Sequence, residues 1–184
     1  MLVIEGSDLV GKTSLIKALC DEAIKRDFPM IPQHFGLLPD SWQFMQDYLP
    51  YINASTVMDR FILSELVYGS VLRENSRICL TDWNTLQGVM KAFGCLTVIV
   101  AAEPAYFRKH VESQYAQRNE VFEVDQICAV NRAFLNIVDR LGAHGAYDVS
   151  YQCAHIVTSP STFPSTDRDF VELIINKYLA LQGT

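Results

Sequence analysis

The sequence predicts an α/β fold in three layers, in which a mainly parallel five-stranded sheet carries helices on both faces. Two observations support this prediction. Short apolar runs typical of buried strands alternate along the chain with stretches in which apolar residues recur at helical spacing. A loop bracketed by two glycines joins the first such strand to the first helix. The 184 residues contain no repeat or low-complexity linker, so residues 1–184 are interpreted as a single domain.

The predicted strands and helices follow from the spacing of apolar residues and from the residues at their ends. The continuous apolar run 96–101 indicates a parallel strand covered on both faces. Pro32 suits an edge strand, because proline cannot donate to the ladder. Thr81 or Asp82 is the expected N-cap of the helix that follows them. The predicted strands are 2–4, 30–35, 55–58, 96–101 and 154–157, and the predicted helices are 12–26, 42–49, 62–73, 82–93, one beginning at 104, 124–141 and 167–181.

Composition is typical of a compact soluble enzyme, with 49% hydrophobic and 20% charged residues. The net charge of −6 argues against a protein whose main task is to grip long nucleic acid. No apolar run reaches the length of a membrane span. Five cysteines without a Cys-x-x-Cys pair favour reduced thiols. We therefore expect a cytoplasmic protein with no membrane partner, in the host cytoplasm if the source is a virus.

A phosphate-binding loop follows the first strand. Its glycines, Gly6 and Gly11, let backbone N–H groups point at phosphate oxygens, and the next helix adds its positive end. Lys12 supplies a charge for the β and γ phosphates of ATP, and the Thr13 hydroxyl is a predicted ligand of Mg²⁺. The motif predicts a P-loop NTPase fold. The predicted ATP-binding residues are Gly6, Ser7, Asp8, Leu9, Val10, Gly11, Lys12, Thr13 and Ser14.

Further candidate residues follow the second and third strands. In an open α/β sheet, ligands lie beyond the carboxyl ends of the strands, which places His34 and Phe35 near the pocket. His34 is equally consistent with a structural histidine. Asp59 and Arg60 form an acid–base pair whose burial is costly without partners, and a magnesium-bound phosphate would provide them. A plain ion pair, or an N-cap at Asp59, is the alternative.

One face of the predicted helix 62–73 carries further candidate residues of the site. Residues 60, 64 and 68 lie one turn apart, so Arg60, Ser64 and Tyr68 form a row that is able to line a substrate groove. A core tyrosine with a solvated hydroxyl is the alternative for Tyr68.

The segment 104–125 is predicted to be a helical lid. Basic residues on a mobile segment after the fourth strand suit closure over a transferring phosphoryl group. Arg118 is the preferred lid arginine, with Arg108 behind it. A solvated charged face is the alternative.

Three motifs resemble the thymidylate kinase family and the neighbouring deoxynucleoside kinases. The resemblance implies that Asp59 positions the attacking oxygen and the metal, and that Arg60 holds the acceptor's phosphate. Tyr68 and Arg73 would flank the acceptor nucleotide, and Phe35 or Trp42 would stack on its base. A homodimer is a further expectation of this family. The motifs are Glu5-Gly6-Ser7-Asp8-Leu9-Val10-Gly11-Lys12-Thr13, Asp59-Arg60-Phe61 with Ser64, Tyr68 and Arg73, and Arg118-Asn119-Glu120.

The sequence also departs from that family. Leu9 stands where the family has glycine, His34-Phe35-Gly36 replaces Arg-Glu-Pro, and the lid is poor in arginine. These departures concern the acceptor and leave the phosphate donor unaffected. They also resemble small bacteriophage kinases that act on nucleosides, nucleotides or modified thymine bases in DNA.

The predicted function is an ATP- and Mg²⁺-dependent phosphotransferase acting on a deoxynucleoside monophosphate of the thymidylate type. Lys12, the metal and Arg118 would neutralise and align the transferring group. One alternative is a kinase of nucleosides, or of 5-hydroxymethyluracil in phage DNA, in which Asp59 acts as general base. Another is a non-catalytic nucleotide-binding switch. A small-molecule acceptor is preferred to DNA because the chain is acidic.

Overall fold

The computed structural model describes residues 1–36, 38–115, 122–144, 152–158 and 168–183. Strands and helices alternate through these ranges. The strands are β1 (Leu2–Gly6), β2 (Ile31–His34), β3 (Thr56–Asp59), β4 (Leu96–Ala102) and β5 (Gln152–Thr158). The helices are α1 (Lys12–Lys25), α2 (Phe44–Tyr48), α3 (Ile62–Leu72), α4 (Leu80–Ala92), α5 (Pro104–Tyr115), α6 (Val124–His144) and α7 (Arg168–Gln182), with a short 3-10 helix at Leu49–Tyr51.

The strands form one sheet in the order β2-β3-β1-β4-β5, and all four strand pairs are parallel. The predicted α/β fold with a parallel sheet is therefore confirmed. Pro32 lies in the edge strand β2, as its missing donor requires. All seven residues of β4 are buried, which agrees with a strand paired on both sides and covered on both faces.

Alternate residues of β1 face two separate hydrophobic clusters. Leu2 and Ile4 pack in a cluster with residues of α1 and α7, whereas Val3 packs with residues of α2 and α4. Successive side chains of a strand point to opposite faces, so one strand feeds both clusters. Val67 of α3 and Val130 of α6 complete the cover with a third cluster. The prediction of helices on both faces is confirmed.

Most element ends differ from the predicted ones by a few residues, and two of the differences have a clear physical reason. Helix α4 begins at Leu80, and its N-cap is Cys79, whose Sγ accepts a hydrogen bond from the Asp82 backbone N at 3.4 Å. The prediction of Thr81 or Asp82 as cap was wrong because a cysteine is not an obvious capping residue. Helix α2 gives way to the 3-10 turn containing Pro50, since the proline ring prevents the helix from continuing.

A buried side chain fixes the end of β4. Asn131 of α6 is almost fully buried, and its amide group bonds to both backbone groups of Ala102. The distances are 3.0 Å from Ala102 N to Asn131 Oδ1 and 2.8 Å from Asn131 Nδ2 to Ala102 O. Helix α5 begins two residues later, so this clamp fixes the point from which α5 leaves the sheet.

Two expectations from composition can be compared with the described part of the chain. None of its helices has both the length and the apolar character that crossing a membrane requires. Four of the cysteines, Cys20, Cys79, Cys95 and Cys128, carry free thiols.

Two helical glycines give a matched test of the packing. A Cβ at Gly69 of α3 would lie 2.6 Å from the Ser76 Cα, whereas a Cβ at Gly88 of α4 would meet nothing within 4 Å. We expect Gly69→Ala to lower the free energy of unfolding by about 1–3 kcal/mol through overpacking. Gly88→Ala should raise it by about 0.5–1 kcal/mol, because alanine loses less entropy in a helix. Urea unfolding of both variants measures this, and equal effects would contradict the described packing of α3.

Candidate active site

The phosphate loop has the backbone of an anion cradle. Gly6, Leu9 and Gly11 all have positive φ angles, of 152°, 62° and 95°. A Cβ at Gly6 would lie 2.2 Å from the Val100 backbone O, so this position requires glycine. Gly11 is the N-cap of α1, which directs the positive end of that helix at the loop.

Most of the predicted ATP-binding residues line one cavity at the carboxyl edge of the sheet. The residues behind it have other contacts: Val10 is buried in the core, and the Ser7 hydroxyl donates to the Asp8 backbone O at 3.2 Å. Asp59 and His34 join the loop in this cavity. We call it the phosphate cavity, and its loop residues are Asp8, Leu9, Gly11, Lys12, Thr13 and Ser14.

Lys12 is a buried cation. Its Nζ donates to the Ser7 backbone O at 2.6 Å, which is the one acceptor that the ammonium has within the described ranges. Burial lowers its pKa, and the nearby carboxylates of Asp59 and Glu5 oppose that shift. A buried ammonium with unused donors is suited to a phosphate oxygen.

Asp59 stands where three strands end. In the sheet it is paired with Ile4 of β1 and with His34 of β2. Its Oδ2 accepts from the Thr13 Oγ1 at 3.4 Å and lies 3.0 Å from the His34 Nδ1. Its Oδ1 is buried and has no hydrogen-bond partner among the residues that the structure describes. A buried acceptor atom without a hydrogen-bond partner indicates a position at which a cation or a donor binds.

These oxygens fit Mg²⁺ that arrives with a nucleotide. The described ranges contain no group of three or more His, Cys, Asp or Glu side chains placed to hold a metal. Mg²⁺ commonly keeps several waters and binds through one or two protein oxygens plus substrate phosphates. The Thr13 hydroxyl and the orphaned oxygen of Asp59 meet that requirement.

A second cavity, which we call the acceptor cleft, lies between β3 and α3 on one side and the segment after β2 on the other. Its cavity volume is about 50 Å³, which is below the range of preformed small-molecule sites. Arg60 lines both this cleft and the phosphate cavity, so the two spaces share a wall. The cleft is lined by Phe35, Gly36, Leu38, Tyr48, Arg60, Phe61, Ser64, Glu65, Tyr68, Arg73, Arg77 and Phe122.

Solved structures of other proteins are similar in fold to the chain that carries these two cavities. The YorR protein from Bacillus subtilis, solved in complex with phosphorylated GDP, is 17% identical over 94% of this chain and 94% of its own, with a TM-score of 0.67. Deoxyadenosine kinase from M. mycoides with bound dCTP is 15% identical over 98% of this chain and 100% of its own, with a TM-score of 0.50. A putative polyphosphate kinase 2 from Pseudomonas aeruginosa is 16% identical, with a TM-score of 0.57; the match covers all (100%) of this chain but 42% of that one.

The chain shares its fold with these three structures. The sequence itself matches no protein-family model and no curated protein. The likeness is therefore one of architecture, and the chemistry has to be argued from the residues of the two cavities.

Arg60 is held in an unusual backbone conformation. Its φ angle is 74°, and its backbone N donates to the Ile4 backbone O at 2.9 Å, which fixes the residue to β1. The guanidinium forms an ion pair with Asp8 and lies 4.8 Å from the centroid of the Tyr68 ring. The Tyr68 hydroxyl donates to the other Asp8 oxygen at 2.9 Å. The Arg60 Nε is buried and has no partner among the described residues.

A second charge cluster lies at the far end of the cleft. Glu65 of α3 is buried and forms ion pairs with Arg73 and Arg77. Arg77 also donates to the backbone O atoms of Leu38 and Pro39 at 3.2 Å, and so ties the segment after β2 to α3. Sequence reasoning found Arg73 but missed Glu65 and Arg77, whose only signal is the mixture of charges around the end of α3.

The two aromatic residues predicted to stack on a base, Phe35 and Trp42, lie in different parts of the structure. Phe35 lines the cleft, whereas Trp42 lines a different surface pocket. Trp42 packs edge-on against Phe35 and Tyr48, with ring centroids 5.6 Å and 5.3 Å apart. The Trp42 ring thus supports Phe35 from behind, and the stacking of Phe35 or Trp42 on a base stays a prediction.

Helix α3 is capped from another strand. Its N-cap residue, Phe61, makes no side-chain cap, and Asp59 does not serve as one. The Glu5 carboxylate of β1 instead accepts from the backbone N atoms of Phe61, Leu63 and Ser64 at 3.1, 3.1 and 3.2 Å, and from the Ser64 hydroxyl. Burial raises the pKa of Glu5 to about 7, although the Ser64 and backbone hydrogen bonds and Lys12 act in the opposite direction.

The predicted lid, 104–125, is described at 104–115 and 122–125. The preferred lid arginine, Arg118, and the rest of its motif lie outside the described residues. Arg108 is exposed, and its guanidinium lies 2.7 Å from the Asp125 carboxylate of α6. It does not line the phosphate cavity, and its pairing with Asp125 argues against Arg108 as the second candidate for the lid arginine. His110 and Gln114 of α5 line the cavity instead.

The raised pKa of Glu5 predicts a pH-dependent stability. Because the pKa of Glu5 is about 7 in the folded chain and 4.5 ordinarily, its contribution is fully present below about pH 4.5 and is lost as the pH rises through 7. The difference in unfolding free energy between the native chain and Glu5→Gln should therefore fall by on the order of 3 kcal/mol across that window. Urea unfolding between pH 4.5 and 7.5 measures it.

Glu22→Gln is the matched control. Its carboxylate pairs with Arg26 and Lys25, which lower its pKa, so this substitution should leave the slope in the same window unchanged. A difference between the native chain and Glu5→Gln that stays constant or grows with pH would refute the assignment.

Proposed function

We propose that this protein transfers the γ-phosphoryl group of ATP, with Mg²⁺, to a deoxynucleoside monophosphate. The observation that carries the proposal is the position of Arg60 in the wall shared by the phosphate cavity and the acceptor cleft. Phosphoryl transfer needs a donor and an acceptor in line across a short gap, with positive charge between them. The two adjoining cavities and this arginine meet that need.

The donor side uses the phosphate loop. Backbone N–H groups and the Lys12 ammonium bind the phosphates of ATP, and the helix α1 begins there. Thr13 and Asp59 would hold Mg²⁺, which on binding supplies neutralisation of the charge on the β and γ phosphates. His34 holds Asp59 through the contact at Oδ2, so that Oδ1 stays available.

The acceptor side uses the cleft. The Phe35 ring offers an apolar wall for a base, and Arg60 offers a donor, its Nε, that has no partner within the described ranges. A phosphate on the acceptor would take that donor and compete with Asp8 for the rest of the guanidinium. Tyr68 contacts both Asp8 and Arg60, so the groups that would exchange hydrogen-bond partners belong to one small cluster.

A second candidate is transfer to a neutral hydroxyl, either of a nucleoside or of 5-hydroxymethyluracil in DNA. The observation that favours it is the pairing of the cleft arginines: Arg60 with Asp8, and Arg73 with Glu65. Paired arginines offer less net positive charge to an incoming phosphate. In that case Asp59, at the phosphate cavity, serves as general base.

Removal of the loop lysine tests the donor side. We expect Lys12→Met to lower kcat by about 10²-fold or more, because the charge on the transferring group loses a preorganised partner. Lys17→Met is the control, since Lys17 is exposed on the same helix. Steady-state ATP consumption with an acceptor panel measures both. Turnover of Lys12→Met at the level of Lys17→Met would exclude the assigned role.

Arg60 tests the acceptor. For a monophosphate kinase, Arg60→Met should lower kcat/KM with thymidylate by about 10²-fold, as expected for loss of a charged partner of the substrate. Arg26→Met is the control, because Arg26 lies at the end of α1 and pairs with Glu22.

The same panel separates the candidates. Transfer to thymidine, or to DNA containing hydroxymethyluracil, in preference to every deoxynucleoside monophosphate would establish the neutral-hydroxyl alternative. ATP binding without transfer to any acceptor would establish a nucleotide-binding switch and exclude the kinase.

A further inference from the structure

We propose that His110 and Gln114 of α5 bind the phosphates of the donor nucleotide from the side opposite the phosphate loop. This inference rests on the proposed function and assigns two phosphate-binding residues to it. Both side chains line the phosphate cavity, together with Lys12 and Thr13 of the loop. A donor held in the loop would therefore lie between the start of α1 and the face of α5.

The two residues share one side of α5. They are four residues apart, which is about one helical turn, so their side chains are neighbours. Phe107 and Val111 of the same helix are buried in the core, and His110 and Gln114 are half-buried beside them. The packing of the apolar pair thus directs the polar pair into the cavity.

Their hydrogen-bonding capacity is unused. Neither the His110 imidazole nor the Gln114 amide has a hydrogen-bond partner in the described part of the chain. Both groups carry N–H donors whichever ring nitrogen of the histidine is protonated, and phosphate oxygens are acceptors. The His110 ring stacks on Tyr106, with centroids 5.9 Å apart and an interplanar angle of 27°, which fixes the plane in which its donor can point.

The basic residues of α5 do not compete for this role. Arg108 and Lys109 are exposed, and Arg108 lies roughly 160° from His110 around the helix axis. The Arg108 guanidinium is 2.7 Å from Asp125 and 3.8 Å from Glu112. Its charge is therefore directed to the outer surface and to α6.

Hydrogen bonds fix the start of α5, the helix that carries His110 and Gln114. The Asn131 clamp holds Ala102 at the end of β4, immediately before the turn that starts α5. The Phe107 backbone N donates to the Glu103 backbone O at 2.8 Å, so the helix forms from its first turn. The two side chains are thus presented by a regular element and not by a loop.

Nucleotide binding tests the proposal with two variants that preserve packing. His110→Phe keeps a ring that can stack on Tyr106 but has no donor, and Gln114→Met keeps the length of the side chain without its amide. We expect each to weaken the binding of an ATP analogue with a non-transferable γ-phosphate by about tenfold, as for one hydrogen bond to a charged group. The affinity for AMP should change by less than twofold.

Arg108→Met and Lys109→Met are the controls, and both should bind the analogue as the native chain does. The inference is overturned if His110→Phe and Gln114→Met bind the analogue with native affinity. It is also overturned if they lose AMP and the analogue equally, because that result indicates a distorted helix and not a lost phosphate contact.

The outcome is distinguishable from failure of the proposed function. A native chain that binds the analogue but phosphorylates no acceptor would refute the kinase, and the ratio of the two affinities would still decide the role of His110. A native chain that phosphorylates an acceptor, with His110→Phe and Gln114→Met unchanged in binding, would support the kinase and refute the inference.

Discussion

The site depends on one buried carboxylate, Glu5, which joins the donor side to the acceptor side. It belongs to the strand that leads into the phosphate loop, and it accepts four hydrogen bonds from the start of α3. The first turn of a helix has N–H groups without intrahelical partners, and here a neighbouring strand satisfies them. The distance between the loop and α3 is therefore set by hydrogen bonds and is not left to packing alone. Arg60 and Asp59 lie directly before the capped turn, so their positions follow from the same contact.

Local patterns were sufficient for the fold and for the position of the glycine-bracketed loop. The loop, the continuous apolar runs of β1 and β4, and the edge position of Pro32 depend on residues close in sequence, and the structure has these elements where they were predicted. The cap of α3 was not predictable, because Glu5 and Ser64 are 59 positions apart. A carboxylate inside an apolar strand gives no sign of which distant helix it will reach. Long-range polar contacts of this kind depend on the register of the sheet, which the sequence alone does not state.

The acceptor cleft also depends on contacts between residues that are far apart in the sequence. Arg60 and Tyr68 were predicted to form a row along one helix face, but Arg60 precedes α3 and has a φ angle of 74°, so it does not continue that row. Their shared partner Asp8 lies in the phosphate loop, 52 and 60 positions away. Asp8 was predicted only as a loop residue. In the folded chain it connects the two cavities, because one carboxylate binds the arginine and the tyrosine that line the cleft. Its charge therefore bears on both cavities at once, and the electrostatic field there is a property of the cluster and not of Arg60 alone.

Leu9 explains how the loop keeps its shape without the glycine found in thymidylate kinases. Its φ angle of 62° lies in the left-handed region, which costs a non-glycine residue roughly 1–2 kcal/mol. The Leu9 side chain also packs against the large core cluster around α1 and α7. Burying much of a leucine contributes a stabilisation of about the same size, roughly 1.5–3 kcal/mol when complete. The strained backbone is thus offset by apolar contact, and the loop keeps its cradle shape with a side chain at this position. Because Leu9 also lines the phosphate cavity, its side chain occupies room there that a glycine would leave open.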